Sequence, residues 1–242
     1  MKKYAVPALL VLAVIGFAFT VWCVFVVTPM EVVYQPGLTP HHEVPSLGSL
    51  FFSQKIFYYH VANAFMLFAA VGTCGVCSIA FLKTRNARWD DISLAAAEIA
   101  VMFGAVVLVT GSIWAKAAWD LWWVWEKRLT MSLLLWLTLV GYVLVRRFAG
   151  AGSERLAAGL AVFGTVAVPF IYIMVSKGDH HPTPGVNGTA ASLTGWMELT
   201  FWMSVLTFLL WFLALTISRV SSVRAERQLH ELHERAMDAG LV

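Results

Sequence analysis

Six apolar stretches, each long enough to cross the hydrocarbon of a bilayer, constrain this chain more than any other feature. A helix rising 1.5 Å per residue needs about 20 mostly apolar residues to span roughly 30 Å. Such runs extend from Tyr4 to Val27, Phe57 to Leu82, Ile92 to Trp114, Leu129 to Val145, Leu156 to Val175 and Trp196 to Ser218. They do not alternate as barrel strands do, and a bilayer offers no water to an unpaired backbone group, so helices are the expected element. Composition points the same way. Of 242 residues, 60% are hydrophobic and 13% are Asp, Glu, Lys or Arg, where soluble domains carry about a quarter charged residues. A soluble enzyme and a disordered chain are both excluded. The expected class is all-α, a polytopic membrane protein of six transmembrane helices over residues 1–218, followed by a polar tail, 219–242, read as a short helix at the membrane surface. The first run is too long for a cleaved signal peptide and lacks a convincing small-residue cleavage site, so it is kept as a span.

Charge gives the direction of crossing. One side of the expected topology collects twelve basic residues: Lys2, Lys3, Lys83, Arg85, Arg88, Arg146, Arg147, Arg155, Arg219, Arg224, Arg227 and Arg235. The other collects five, Lys55, Lys116, Lys127, Arg128 and Lys177. The positive-inside rule then puts both termini in the cytoplasm and three loops, 28–56, 115–128 and 176–195, outside. A net charge of +3 is too small to argue for nucleic acid. Cys23, Cys74 and Cys77 lie within apolar runs and read as buried small hydrophobes. Cys74-Gly-Val-Cys77 lacks the histidine of a heme-attachment motif, since Ser78 follows it.

Five of the seven histidines fall on the outer side: His41, His42, His60, His180 and His181. His60 follows Phe57-Tyr58-Tyr59 at the mouth of the second run, and His180 and His181 follow the fifth at the same membrane depth. Neutral imidazole is a good ligand for heme iron, and two from opposite directions complete its axial pair. Histidines also mark helix ends in the headgroup layer, and spacing alone leaves both readings open. The middle loop is more pointed. Trp114, Trp119, Trp122, Trp123 and Trp125 occur within twelve positions. A continuous helix there would set Trp119, Trp122 and Trp123 on one arc beside Glu126, with Trp114 and Trp125 on another, lying along the interface. An interfacial belt explains single tryptophans, but it scatters them over all loops. Concentration in one loop favours a cleft for a flat amphipathic ligand such as a porphyrin, with Lys116, Lys127 and Arg128 placed to pair with its propionates.

Other polar groups have plainer expectations. Asp90 and Asp91 suit the start of the third helix, where carboxylates complement the dipole. Glu98, inside the third run, is expected to pair with Lys83 or Arg88. Glu198, just inside the sixth, lies at a depth that reaches the outer cleft. Lys55 is expected to snorkel, and His230 and His233 to face solvent.

These residues carry a family resemblance. Gly111-Ser-Ile-Trp-Ala-Lys116 through Trp119, Trp122-Trp-Val-Trp-Glu-Lys-Arg128, Leu129 and Thr130 resemble the tryptophan-rich "WWD" segment (111–130 here) of the heme exporter protein C family of cytochrome c biogenesis. Gln54 to Val61 resembles the family segment that carries the first histidine, and Pro169-Phe-Ile171 with His181-Pro182 the approach to the second. Glu126 stands where the family has aspartate. Val175-Ser-Lys-Gly-Asp-His-His-Pro182 lacks the family's tryptophan pair and leucine, leaving His180 and His181 both as candidates. The His41-His42-Glu43 cluster has no counterpart in the pattern.

The resemblance implies heme b held at the periplasmic face of the cell inner membrane, with the tryptophan segment, including Trp114, Trp119, Trp122, Trp123 and Trp125, against the porphyrin. It implies His60 and His181, with His180 the neighbouring rival, as axial ligands, and Glu126 and Arg128 in the same site. It further implies transfer of heme to a membrane-anchored chaperone of the heme exporter protein E type, alongside two ABC-transporter-like subunits and a small single-span subunit. No nucleotide-binding loop, Ser–His pair or surface cysteine suggests catalysis by the chain itself. The expected function is therefore heme binding and delivery. The alternatives are a heme lyase of the related cytochrome c synthesis system and a transmembrane heme conduit.

Overall fold

The computed structural model describes residues 2–28, 47–150, 152–175, 193 and 195–240, with the backbone alone at 2–3, 47–54, 118–119 and 171–175. Six helices follow one another: α1 (Lys2–Trp22, continuing into a wide π turn at Cys23–Val27), α2 (Leu47–Thr84), α3 (Ala87–Trp119), α4 (Lys127–Phe148), α5 (Ser153–Val175) and α6 (Trp196–Asp238). Five of them carry stretches long and apolar enough to cross a membrane, and α5 coincides with the remaining expected run. No strand occurs among the described residues. The all-α, polytopic expectation holds.

The bundle is built around α2 and α3, which touch from Phe57–Trp114 at one end to Ser78–Ser93 at the other. On α2, Ala62, Met66, Ala70, Cys74 and Ser78 recur every four residues and are all buried, so one face of a helix is committed to the interior. On α3, Ala95, Ala96, Ala97, Ile99, Ala100 and Phe103 are buried, and Ile99, Ala100 and Phe103 share one core with Met66, Leu67, Ala70 and Val71 of α2. Lipid tails are as apolar as leucine, so helices gain little by excluding them; small side chains let backbones approach and gain dispersion instead. Gly75 shows this directly. A Cβ there would collide with the Thr165 side chain of α5, whose hydroxyl lies 3.1 Å from the Val71 carbonyl. α4 covers α5, and α1 leans on α6. Most of α1 faces outward, with Val11, Leu12, Val14, Ile15, Phe25 and Val26 exposed, as a lipid-facing helix requires.

Successive helices run in opposite directions, so the arginines at 146, 147, 219 and 227 collect towards one end of the bundle and His60 lies towards the other. At the basic end, buried carboxylates meet guanidinium groups. Arg146 donates to Asp90 at 2.8 Å, and Arg227 donates to Asp90 at 2.6 Å and to Asp91 at 2.7 Å. Asp90 lies in the first turn of α3, at the helix start as expected. Asn86 caps α3, accepting from the Arg88 N–H at 3.0 Å. Asp90 and Asp91 are also buried, where a desolvated carboxylate is tolerable only beside a cation. Glu98 is paired as expected, but with Arg147 at 3.0 Å and with the Nε and Nη2 of Arg219, not with Lys83 or Arg88. It lies about 16 Å along α3 from the second loop, level with the basic ends of α4 and α6. The polar tail is no separate short helix either. It continues α6 to Asp238.

Candidate functional site

At the opposite end, α2, α3 and α6 converge on His60. Phe57 and His60 are three residues apart on α2, and Thr110 and Trp114 four apart on α3, so each pair shares a helix face. The His60 side is buried, at 7% exposure. Its Nδ1 lies 2.9 Å from the Thr110 hydroxyl, and its ring meets Trp114 edge-to-face, centroids 5.7 Å apart at 77°. Phe57 meets the same indole at 6.3 Å and 81°, and stacks on Phe201 of α6 at 5.3 Å. The imidazole is therefore held between two helices by one polar contact and an aromatic wall, the arrangement that fixes ring orientation. Opposite it, Gly111 leaves space that matters. A Cβ at that position would stand 3.2 Å from His60 Cε1.

The tryptophan segment follows directly but not as a helix. α3 stops at Trp119, and Asp120 takes left-handed backbone angles (φ 59°, ψ 20°), its N–H bonded to the Lys116 carbonyl at 3.1 Å. That conformation ends a helix, and aspartate is among the few non-glycine residues that tolerate it. Lys116 folds back onto the Asp120 carboxylate and carbonyl. Residues 121–126 form no regular element, with a bend at Trp122 and extended backbone at Glu126, after which α4 begins. The expected arc of Trp119, Trp122 and Trp123 is overturned, because the chain reverses between the first and second of these. Trp122 and Trp125 are exposed at 62% and 75%. Trp123 meets Trp125 edge-to-face at 5.8 Å, and its indole Nε1 is buried without a hydrogen-bond partner among the described residues. Trp114 stays on α3 against His60 and Phe57. The side chain of Trp119 lies outside the described residues.

Arg128, in the first turn of α4, points back into this region. It is close enough to both His60 and Glu126 for their charges to interact, and its Nη1 is buried without a hydrogen-bond partner among the described residues. Lys127 is exposed, and Lys116 is engaged by Asp120. Glu198 is on an exposed face of α6's first turn. Lys55 does not snorkel: it is buried, and its ammonium donates to the Thr28 carbonyl at 3.1 Å and hydroxyl at 2.8 Å, tying the ends of α1 and α2 together. His41, His42, His180 and His181 lie outside the described residues.

The cysteines are buried and unpaired; Cys74 packs 3.4 Å from Ser93, within a hydroxyl cluster that includes Ser78 and Tyr142. Thr110 and Phe201 escaped the sequence reading, and Gly111 entered it only as the first residue of the tryptophan-rich segment. Thr110 was within its reach, since it precedes Trp114 by one helical turn; Phe201 required the tertiary fold. Beside the site, an apolar groove of about 650 Å³ opens between α1 and α3, with Tyr59 and Thr110 in its wall.

Among the described residues no three His, Cys, Asp or Glu side chains converge as a bare metal ion demands. What is present suits a flat, anionic, iron-bearing ligand instead: an imidazole whose Nε2 makes no hydrogen bond among the described residues, aromatic edges, and buried N–H donors on Arg128 and Trp123 that lack acceptors there. A bundle of apolar helices long enough to cross a membrane, with a buried histidine among the described residues, defines the class: a polytopic membrane protein.

The sequence places it within that class. Residues 1–235 match the pattern of the family described as "Heme exporter protein C", and the chain belongs to that family. It is 28% identical over 182 residues to "Heme exporter protein C" of Bradyrhizobium diazoefficiens, covering 74% of this chain and 69% of that one. It is 33% identical over 129 residues to "Heme exporter protein C" of Escherichia coli K12, covering 51% of each. A "Putative cytochrome c biosynthesis ccmC-like mitochondrial protein" of Marchantia polymorpha is 31% identical over 122 residues, covering 50% of this chain and 52% of that one. The matches thus span about half the length of the latter two relatives.

Proposed function

We propose that this chain binds heme b at the end of the bundle that carries His60, at the periplasmic face of the inner membrane, and delivers it for cytochrome c maturation. His60 Nε2 is one axial ligand. His181, or His180 beside it, approaches from the other side. Trp114, Trp119, Trp122, Trp123 and Trp125 line the macrocycle, and Arg128 takes a propionate, with Glu126 holding the arginine by charge. The observation that carries this reading is the buried His60 ring between Thr110 and Trp114, with the Arg128 guanidinium within electrostatic reach. Such a histidine has lost its water and gained a fixed orientation, which is what an iron ligand needs. The chain's own groups bind, orient and exclude water; the redox and ligand-exchange chemistry is that of the cargo.

Delivery to a chaperone of the heme exporter protein E type requires that one axial histidine be displaced. The two ABC-transporter-like subunits and the small single-span subunit are the assembly in which this would occur. His60, locked between two helices, is the ligand that stays. The conduit reading has one observation of its own, the apolar groove whose wall includes Thr110. Heme found within that groove, not over His60, would favour it.

Absorption spectra of heme-loaded protein test the assignment. His60→Ala and His181→Ala should each abolish the low-spin bis-histidine spectrum, while His180→Ala preserves it. Loss with His180→Ala instead of His181→Ala moves the second ligand by one residue. An unchanged spectrum in His60→Ala removes the site altogether.

A further inference from the structure

The geometry points to Thr110 as the positioning residue that makes His60 a ligand, by fixing the imidazole as the Nδ1–H tautomer and so leaving Nε2 as a lone pair. The argument is one of proton counting. A threonine hydroxyl has one proton and two lone pairs. Thr110 Oγ1 lies 2.7 Å from the Val106 carbonyl oxygen, one turn back, and 3.3 Å from that of Val107. A carbonyl cannot donate, so a separation of 2.7 Å between two oxygens requires the threonine proton between them. Turned towards His60, that proton would leave two sets of lone pairs face to face at the same distance. The 2.9 Å contact with His60 must then be closed by the imidazole: Nδ1–H donates and Thr110 Oγ1 accepts. A neutral imidazole has one N–H, so Nε2 is left as a lone pair.

Gly111 completes the device from the same turn of α3. Its missing side chain leaves the ring edge clear, since a Cβ at that position would stand 3.2 Å from Cε1, the carbon between the two nitrogens. Contact at that distance forces a shift of the ring or the helix. Thr110 therefore holds one ring nitrogen while Gly111 makes room beside it, and Trp114 sets the tilt from one turn further on. Second partners of this kind orient a ligating histidine and raise its basicity, and losing one typically costs about 10- to 100-fold in affinity.

The inference rests on the reading of His60 as an iron ligand, but its first test needs no heme. In detergent-solubilised, heme-free protein labelled with ¹⁵N-histidine, the His60 signals are identified by their loss in His60→Ala. They should show a protonated Nδ1 and an unprotonated Nε2. Thr110→Val, which keeps the shape and removes the hydroxyl, should shift the ring towards the Nε2–H form, and Thr110→Ser should restore the original tautomer. With heme bound, Thr110→Val should weaken binding about 10- to 100-fold and raise the midpoint potential, because a less basic imidazole favours the ferric state less; Thr110→Ser should resemble the parent protein. An Nε2–H tautomer in the parent protein, or one unmoved by Thr110→Val, overturns the inference. Should the tautomer behave as expected while His60→Ala leaves the heme spectrum intact, the failure lies with the ligand assignment and not with the hydrogen bond.

Discussion

Asp120 shows how much a single residue decides at this site. The helical run from Ala87 would carry all five tryptophans onward as one amphipathic rod if the chain did not turn left-handed there. Its carboxylate is 91% exposed and paired with Lys116, whose ammonium and hydrogen bond hold the carboxyl below its ordinary value of 3.8. The folded form thus binds the proton less readily than the unfolded chain. The contribution is present at neutral pH and fades as pH falls below about 4 and through the folded value. Full exposure keeps it small. The backbone matters more. Asp120→Gly and Asp120→Asn should preserve the turn and the heme spectrum between pH 6 and 8. Asp120→Val, β-branched at a positive φ, should cost roughly 1–2 kcal/mol and lower the thermal midpoint. Equal behaviour of the valine and glycine variants would show that the turn is imposed by the flanking helices. This residue also marks a boundary of legibility. The tryptophan count was readable, whereas the arc drawn through it assumed that 3.6-residue periodicity continued past Trp119, and nothing in the apolar pattern announces an αL residue when the residue is not glycine.

At the scale of elements, the longest helix explains the charges at the basic end. α6 extends well beyond what a bilayer requires, and Arg219 and Arg227 lie eight residues apart, on the same side of it. They reach Glu98 and the Asp90–Asp91 pair on α3, while Arg146 of α4 shares Asp90 and lies 3.4 Å from Glu154 of α5. Four helices are joined through carboxylates whose side chains are 3% to 5% exposed at Asp90 and Asp91. The sequence reading counted these arginines for orientation and placed the aspartates at a helix start. Both were reasonable from local position, but partners separated by 56 and 136 residues are set only by the packing of helices. Removing one member of such a group strands the others. Asp90→Ala leaves the buried Arg146 without its 2.8 Å partner and should destabilise the bundle by about 3–5 kcal/mol. Asp90→Asn, which retains hydrogen-bond acceptance without charge, should cost less. Thermal unfolding in a fixed detergent, followed by tryptophan fluorescence, checks the order of the variants; an alanine variant as stable as the parent would mean that water or lipid headgroups replace the carboxylate.

Across the whole molecule the two ends are held by different forces. Among the described residues the basic end carries the interhelical ion pairs, while the His60 end is joined by aromatic contacts and by the Lys55–Thr28 latch. The helices and their order were legible because hydrophobic length is a one-dimensional property. The way α2 and α3 close on each other depends on alanine seams that the same hydropathy count cannot distinguish from leucine. A bundle clamped by charge at one end and framed by rings at the other has a built-in gradient of local stability, since opening is easiest where fewest buried contacts are lost. That gradient suits the proposed release of heme: the turn at 121–126 would move while α2 and α3 keep His60 in register. Hydrogen–deuterium exchange should therefore find the slowest amides in the middle of α2 and α3, around Ala70 and Ala100, and fast exchange at 121–126 in the heme-free protein. Heme should slow exchange in 121–126 and at the first turn of α4, where Arg128 resides, and leave the amides around Asp90 unchanged. Protection that instead appears along the α1–α3 groove, with no change at 121–126, would move the bound heme into the membrane and support passage through the bundle over presentation at its mouth.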